Sequence, residues 1–276
     1  FSVSALTGVG RTSYLVITAG RLVYKVLVVQ GMQWAYSNII LKDGKLTFAT
    51  TAAENAEIPA NVEGLAFKWG SLIGMHTAGA QGTPYTSDRI SFIPEEYTGS
   101  TPITVYGNIP YASVDAEFDS YNALAATGDI CRYVSAKGWV QGKWRMPTQA
   151  EALKSIDCGY KIYGSFELDF TWPETDGTHL SPGGIFLGTT DDDPSYLTGD
   201  MPIGAMFLPT GGAITGNGTA AGTAVNVGTL ARFWTTTMSD ETYAYNLISS
   251  STAPHVTADG ALKTDGREVR CIRDMD

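Results

Sequence analysis

Charged residues are scarce in this sequence, since only 17% of its 276 residues are Asp, Glu, Lys or Arg, against about 25% in an ordinary soluble domain. The charges present are mostly acidic, with 28 Asp and Glu, 18 Lys and Arg, and a net charge of −10. This balance argues against a protein that follows nucleic-acid phosphates, because such binding needs clusters of Lys and Arg. No run of 18 apolar residues occurs either, so the sequence predicts no membrane span in this chain.

Cysteine and histidine are few and widely spaced. Cys131, Cys158 and Cys271 form no C-x-x-C motif, and the three histidines form no H-E-x-x-H, so neither pattern predicts a metal site. A G-x-S-x-G elbow and a P-loop are also lacking. We therefore find no catalytic constellation and expect a protein that is not an enzyme. The cysteines leave two interpretations open, three buried thiols or one disulfide with one odd thiol.

Glycine, proline and aromatic residues are plentiful instead. The chain has 31 Gly, 12 Pro and 11% aromatic residues within a 43% hydrophobic composition. That composition excludes general disorder and favours a β-rich exported protein. The chain begins at Phe1 without a charged segment followed by an apolar one, and we interpret it as a mature or trimmed chain whose targeting segment is absent.

Two hairpins are predicted at the start of the chain. Residues 13–29 alternate Val, Ile, Tyr and Leu about an Ala19-Gly20 turn, which predicts two strands. We assign residues 1–30 to an N-terminal β-hairpin and residues 31–276 to the main domain. The hairpin is either the first hairpin of the main domain or the last strands of an upstream immunoglobulin-like module. Asp43-Gly44 between apolar runs predicts a second hairpin.

Two helices are predicted in the middle of the chain. Residues 114–126 place Phe118, Tyr121 and Leu124 on one helical face. Thr148 and Glu151 form a T-x-x-E capping box that opens a helix ending near Ile156. Asp129 is placed to cap a further short helical turn through residues 132–134. Strands and turns follow, and the order of elements predicts an α+β fold with mixed or antiparallel strands, two main helices and long loops.

Four ordered motifs between residues 129 and 274 suggest a family. The segment 143–151, KWRMPTQAE, is similar to W-R-[LM]-P-T-x-x-E, and 266–274, GREVRCIRD, is similar to G-x-x-V-R-C-[IV]-[RK]-D. Residues 207–212, FLPTGG, are similar to F-L-P-x-x-G. The pair 233–237 and 243–247, FWTTT and YAYNL, is similar to Y-W-S-S-T…A-Y-x-L. This half of the chain resembles the Fibrobacter succinogenes major paralogous domain.

That resemblance implies a C-type-lectin-like fold related to the sulfatase-modifying, formylglycine-generating group. It further implies an exported surface protein of Bacteroidetes-type bacteria, often an adhesin or a pilus-associated component, anchored at the cell surface by a segment outside this chain. Family members often carry D-P-C where this chain has Asp129-Ile130-Cys131. The resemblance therefore implies a Cys131–Cys271 disulfide and leaves Cys158 single.

The candidate ligand-binding residues are loop aromatics and acids. Aromatic side chains on loops stack on sugar faces or anchor protein partners, and turn-rich stretches contain Tyr85, Tyr97, Tyr106, Tyr111, Trp172 and Tyr196. Asp191 and Asp193 belong to the densest acidic run, which offers oxygens to Ca²⁺. The calcium tripeptides of sugar-binding C-type lectins are lacking, however, so a solvated acidic loop is favoured over a metal site and no cofactor is expected.

These observations predict a binding or adhesion domain at the cell surface. It would recognise a glycan or a host or bacterial surface protein through a loop-rich face built from residues 77–110 and 172–230. A structural pilus-associated subunit is the first alternative, in which residues 1–30 donate or accept a strand. A formylglycine-generating-like or other hydrolytic enzyme is the second alternative, and it would require a deep pocket with converging carboxylates of shifted pKa or paired thiols.

Overall fold

The computed structural model describes residues 10–76, 89–168, 175–216 and 222–275. Within these ranges the chain is α+β, as predicted, with twenty short strands and three α-helices. The helices are α1 Ala52–Glu57, α2 Ile130–Ala136 and α3 Gln149–Asp157. The strands are β1 Gly10–Ala19, β2 Leu22–Gly31, β3 Ile40–Lys42, β4 Lys45–Thr47, β5 Leu65–Lys68, β6 Gly74–His76, β7 Ile90–Phe92, β8 Tyr121–Asn122, β9 Thr127–Gly128, β10 Trp144–Arg145, β11 Tyr160–Gly164, β12 Gly183–Leu187, β13 Met206–Pro209, β14 Ala213–Thr215, β15 Thr223–Val225, β16 Ala231–Met238, β17 Ala244–Ser249, β18 His255–Thr257, β19 Gly266–Glu268 and β20 Ile272–Arg273.

Both predicted N-terminal hairpins are confirmed. β1 and β2 pair antiparallel over their full length around a two-residue turn, with Ala19 opposite Leu22. β3 and β4 form the second hairpin, in which Asp43 and Gly44 have φ angles of 52° and 74°. Positive φ at both central residues is the geometry that matches the twist of a two-residue hairpin, and Asp-Gly adopts it readily.

The largest sheet runs in the order β18-β17-β16-β19-β5-β6-β7, with β14 and β15 attached through β19. All of its pairs are antiparallel except β16 with β19. Two buried tryptophans cross-link its centre, because the Trp69 Nε1–H donates to the carbonyl of Thr235 at 2.8 Å and the Trp234 Nε1–H donates to the carbonyl of Phe67 at 2.9 Å. Each polar ring atom is thereby satisfied inside the core.

A three-stranded sheet of β11, β12 and β13 forms a second layer, and its apolar side chains join separate hydrophobic clusters. Two short antiparallel pairs, β10 with β20 and β8 with β9, lie beside the main core. The segment before β3 also meets the end of the chain, since Trp34 bridges to Ile272 and the Ala35 N–H donates to the Cys271 carbonyl at 2.9 Å. Segments from the start and the end of the main body therefore pair with each other.

The predicted helix at residues 114–126 is wrong. Residues Asp115–Asp119 form one 3₁₀ turn, and a short β-hairpin of β8 and β9 follows. Only Phe118 of the predicted apolar face is buried, against Trp69 at 4.8 Å between ring centroids, whereas Leu124 is 57% exposed. Ala126 has a φ of 55°, which no right-handed helix contains. Tertiary packing of one aromatic ring has overridden the local pattern.

The other two helical predictions are confirmed, and α1 was not predicted. α3 carries the expected capping box, with Thr148 and Glu151 each bonding the other's main-chain N–H. α2 begins at Asp129, whose side chain accepts from the N–H groups of Cys131 and Arg132. Across the described ranges, no helix is both long enough and apolar enough to cross a membrane.

Candidate functional site

Two carboxylates of the predicted acidic loop accept hydrogen bonds from residues of the same loop. Asp193 accepts from the Ser195 N–H at 2.9 Å and so caps the 3₁₀ turn Pro194–Leu197, which also lowers the pKa of its carboxyl group. Asp191 accepts from the Tyr196 hydroxyl at 3.0 Å. The described part of the chain contains no group of three or more His, Cys, Asp or Glu side chains arranged to hold a metal. Asp191 and Asp193 therefore contribute to the local structure of this loop.

Two of the candidate aromatics, Tyr97 and Tyr196, pack against different hydrophobic clusters. Tyr97 packs against the main core and donates its hydroxyl to the Thr101 carbonyl at 2.9 Å. Tyr196 packs against a different cluster, with its ring 6.0 Å from that of Phe186. Tyr85 and Trp172 lie outside the described residues.

Tyr106 is not a loop aromatic but a core residue. It is fully buried, and its hydroxyl donates to the main-chain carbonyl of Thr264. The Nζ atom of Lys68 lies 4.5 Å from the centroid of its ring. Burial lowers the pKa of Lys68 to about 8. A turn-rich sequence around an aromatic therefore gave no information on its exposure.

Two cavities share Trp144 as a lining residue, and we call them together the Trp144 groove. The first, of about 120 Å³, is lined by Gln33, Trp34, Tyr36, Thr50, Trp144, Met201, Pro202, Ile203, Gly204, Ala205 and Arg273. The second, of about 400 Å³, is lined by Asp119, Ser120, Tyr121, Arg132, Ser135, Ala136, Gly142, Lys143, Trp144 and Asp274. Only the 201–205 segment of this groove belongs to the loop face predicted from the sequence.

The W-R-M-P-T segment contains the residue that the two cavities share. Trp144 pairs with Arg273 across β10 and β20, its main-chain N–H donates to the Ser135 hydroxyl, and its Nε1–H donates to the Gln141 carbonyl, both at 2.9 Å. The edge of the Phe48 ring packs against it at 5.5 Å between centroids. The indole is thus fixed from several sides and is almost fully buried.

Asp129 holds this segment against α2. Its second carboxylate oxygen accepts from the Met146 N–H at 2.8 Å, while the first serves the start of the helix. Complete burial raises the pKa of Asp129 to about 6, against the opposing effect of these N–H donors. One carboxylate therefore satisfies three main-chain donors that would otherwise be buried without partners.

Ion pairs and a disulfide close the same region. Arg145 binds both oxygens of Glu151 at 2.6 and 2.9 Å, and Arg132 binds Asp274 at 2.6 Å. Cys131 and Cys271 form a disulfide, the pair that the family resemblance implied, which ties α2 to the segment before β20. Cys158 is free, so the chain has no second free thiol that could form a pair with it.

The groove differs in charge between its two ends. Among the described residues, Arg273 is the only charged one that lines the first cavity, where the Tyr36 hydroxyl donates to Asp200 at 2.7 Å. The second cavity mixes Asp119 and Asp274 with Arg132 and Lys143. It also carries Tyr121, which is 37% exposed and is held edge-on by the ring of Tyr133 at 5.4 Å. Tyr121 and Arg273 were missed because their contacts come from distant segments of the chain.

A layer of buried charge lies elsewhere in the core. Glu268 is fully buried, and burial together with the charge of Glu63 raises its pKa well above the usual range. Arg270 donates to the carbonyls of Ala35, Ala60 and Phe207, and burial lowers its pKa to about 9. These residues line neither cavity of the groove, and their contacts are those of a structural network.

Comparisons with known proteins identify no relative: no protein-family model, curated protein or solved structure matches the chain.

Proposed function

We propose that this protein is a cell-surface binding or adhesion domain that recognises an oligosaccharide in the Trp144 groove. The observation that carries the proposal is a pair of cavities that share one immobilised indole in their linings, the first with a guanidinium and the second with an exposed tyrosine. Binding sites for small ligands combine a concave, partly apolar surface with a few fixed polar groups, and aromatic rings supply the apolar faces that sugars stack on.

The proposed setting is the surface of a Bacteroidetes-type bacterium, and the proposed fold is C-type-lectin-like. The W-R-M-P-T and V-R-C-I-R-D motifs support this proposal, since they lie next to each other as β10 and β20. The Cys131–Cys271 disulfide adds support, because disulfides persist mainly in oxidising, extracytoplasmic compartments.

The binding proposal is tested with an array of oligosaccharides followed by titration calorimetry of the hits. We expect Tyr121→Ala to weaken binding by about tenfold, because stacking of a ligand ring on one aromatic side chain contributes on the order of 1 kcal/mol or more. Tyr160→Ala is the matched control, since Tyr160 is similarly exposed at 39% but lines neither cavity. Equal binding by both variants would refute the assignment of the groove.

A structural subunit is the second candidate function, and the β1–β2 hairpin favours it. Large apolar side chains are exposed on both of its faces, namely Tyr14, Val16, Ile17, Leu22, Val23, Tyr24 and Val26. A two-stranded ribbon of this kind is marginally stable alone in water, and strands apolar on both faces are normally buried on both.

A second copy of this chain is the partner that the hairpin fits. Residues 10–31 contain Arg11, Arg21 and Lys25 and no acid, although the whole chain has a net charge of −10. A basic, apolar ribbon therefore complements the acidic remainder of a neighbouring molecule.

Light scattering over a range of protein concentrations tests this assembly. Ile17 and Tyr24 are paired across the hairpin, and we expect the double variant Ile17→Ser, Tyr24→Ser to be monomeric where the natural chain associates. Thr18→Ser in the same ribbon is the control and should associate normally. A natural chain that stays monomeric at high concentration and low salt would exclude this function.

A further inference from the structure

Among the described residues, the first cavity of the Trp144 groove is lined by one guanidinium and by no carboxylate. We infer that it receives the carboxylate of an acidic sugar, such as a uronic acid, at the guanidinium of Arg273. This inference rests on the proposed function, because it names the class of oligosaccharide that the groove binds.

Arg273 is an arginine without an anionic partner. Its guanidinium lies 5.7 Å from the centroid of the Trp144 ring, and it makes no side-chain hydrogen bond or ion pair with any residue that the structure describes. The adjacent Asp274 does not neutralise it, because that carboxylate is bound by Arg132 at 2.6 Å and lies 3.8 Å from Arg145. A planar guanidinium presents a fork of donors that matches the two oxygens of a carboxylate.

The other lining residues add donors rather than carboxylates. None of the described residues that line the first cavity is an Asp or Glu. Trp34 lines it and is only 6% exposed. Gln33 contributes a side-chain amide at the rim, and its own carbonyl fixes the Arg273 main chain at 2.7 Å.

The guanidinium of Arg273, in the first cavity, lies close to a residue of the second cavity. Gly142, which lines the second cavity, has a φ of 93°, and a Cβ atom added there would lie 3.0 Å from the guanidinium carbon of Arg273. A glycine at 142 therefore gives the guanidinium room. The first cavity, at about 120 Å³, has room for a carboxylate and its neighbouring ring atoms, while the remaining sugars would extend into the second cavity beside Tyr121.

The test compares acidic oligosaccharides with the same molecules after methyl esterification, which removes the charge but keeps the sugar. Oligogalacturonides and glucuronate-containing oligomers are titrated at low salt. Each is compared with its methyl ester and with an analogue that carries sulfate in place of the carboxylate. We expect the natural chain to bind at least one free acid about tenfold to a hundredfold more tightly than its ester, as charge-assisted hydrogen bonds contribute. Arg273→Gln should lose this preference, Arg273→Lys should retain part of it, and Arg21→Gln, at the exposed tip of the hairpin, should be unchanged.

Each outcome separates this inference from the proposed function. Binding of acid and ester with equal affinity, sensitive to Tyr121→Ala, would overturn the carboxylate site and leave the glycan-binding proposal standing. Equal binding of the sulfated analogue would overturn the selectivity for carboxylate. Absence of binding to every oligosaccharide would overturn both proposals. If Arg273→Gln lowers the melting temperature, Gln33→Ala provides a second variant of the same cavity, and an acid preference that survives both would refute the assignment.

Discussion

Removing the Cys131–Cys271 disulfide tests how strongly the ends of the main body depend on one another. The two residues are 140 positions apart in the sequence, so the bond closes a very long loop in the unfolded chain. The loop-closure relation for that length gives a stabilisation of about 5 kcal/mol. Since a domain is stable by only about 5–15 kcal/mol in total, this one bond accounts for a large share of stability.

The assay is guanidinium denaturation of the natural chain and of the double variant Cys131→Ala, Cys271→Ala. We expect the variant to lose about 5 kcal/mol, or about 10–20 °C in melting temperature for a chain of this size, plus a packing cost because both residues are buried. The denaturant dependence of unfolding should also steepen, since an unfolded chain without the cross-link exposes more surface.

Cys158→Ser provides the matched control, because Cys158 is a free, half-buried thiol. Its stability should remain within about 1 kcal/mol of the natural chain. A double variant as stable as this control would refute the reasoning, and so would a natural chain whose stability does not change under reducing conditions.

Three further results are expected. Burial raises the pKa of Glu151, but the hydrogen bonds from Arg145 lower it by more, so the net shift is downward. The pair therefore contributes stability at neutral pH that is lost as the pH falls below about 4.5. When melting temperatures are measured against pH, Glu151→Gln should lose less stability in acid than the natural chain does. Asp129→Ala should cost about 2–4 kcal/mol by denaturant titration, because it leaves three buried N–H groups, including that of Met146, without acceptors, and Asp129→Asn should cost less; equal stability of both variants and the natural chain would contradict this role. Trp234→Phe should cost about 1–3 kcal/mol, because it leaves the buried carbonyl it bonds without a donor, whereas a neutral substitution would show that this bond is replaced.

Local elements followed from the sequence because their signals involve neighbouring residues. The Asp43-Gly44 turn, the alternating strands of the first hairpin and the Thr148 capping box each require only a few consecutive residues, and the structure has all of them. The same reasoning failed at residues 114–126, where an apolar spacing that suits a helix was resolved by packing Phe118 on Trp69. A local pattern cannot report a contact that another segment supplies.

By itself, the sequence determined the α+β composition, the turns of the two N-terminal hairpins and two of the three α-helices. The pairing of Cys131 with Cys271 followed from the family resemblance. Tertiary structure alone decided that Tyr106 is buried, that Asp191 and Asp193 serve their own loop, and that a groove exists at Trp144. The groove draws its walls from residues near positions 34, 120, 144, 203 and 273. These segments are adjacent only because β20 pairs with β10 and with the chain at Trp34, and such long-range pairing depends on the burial of the whole core.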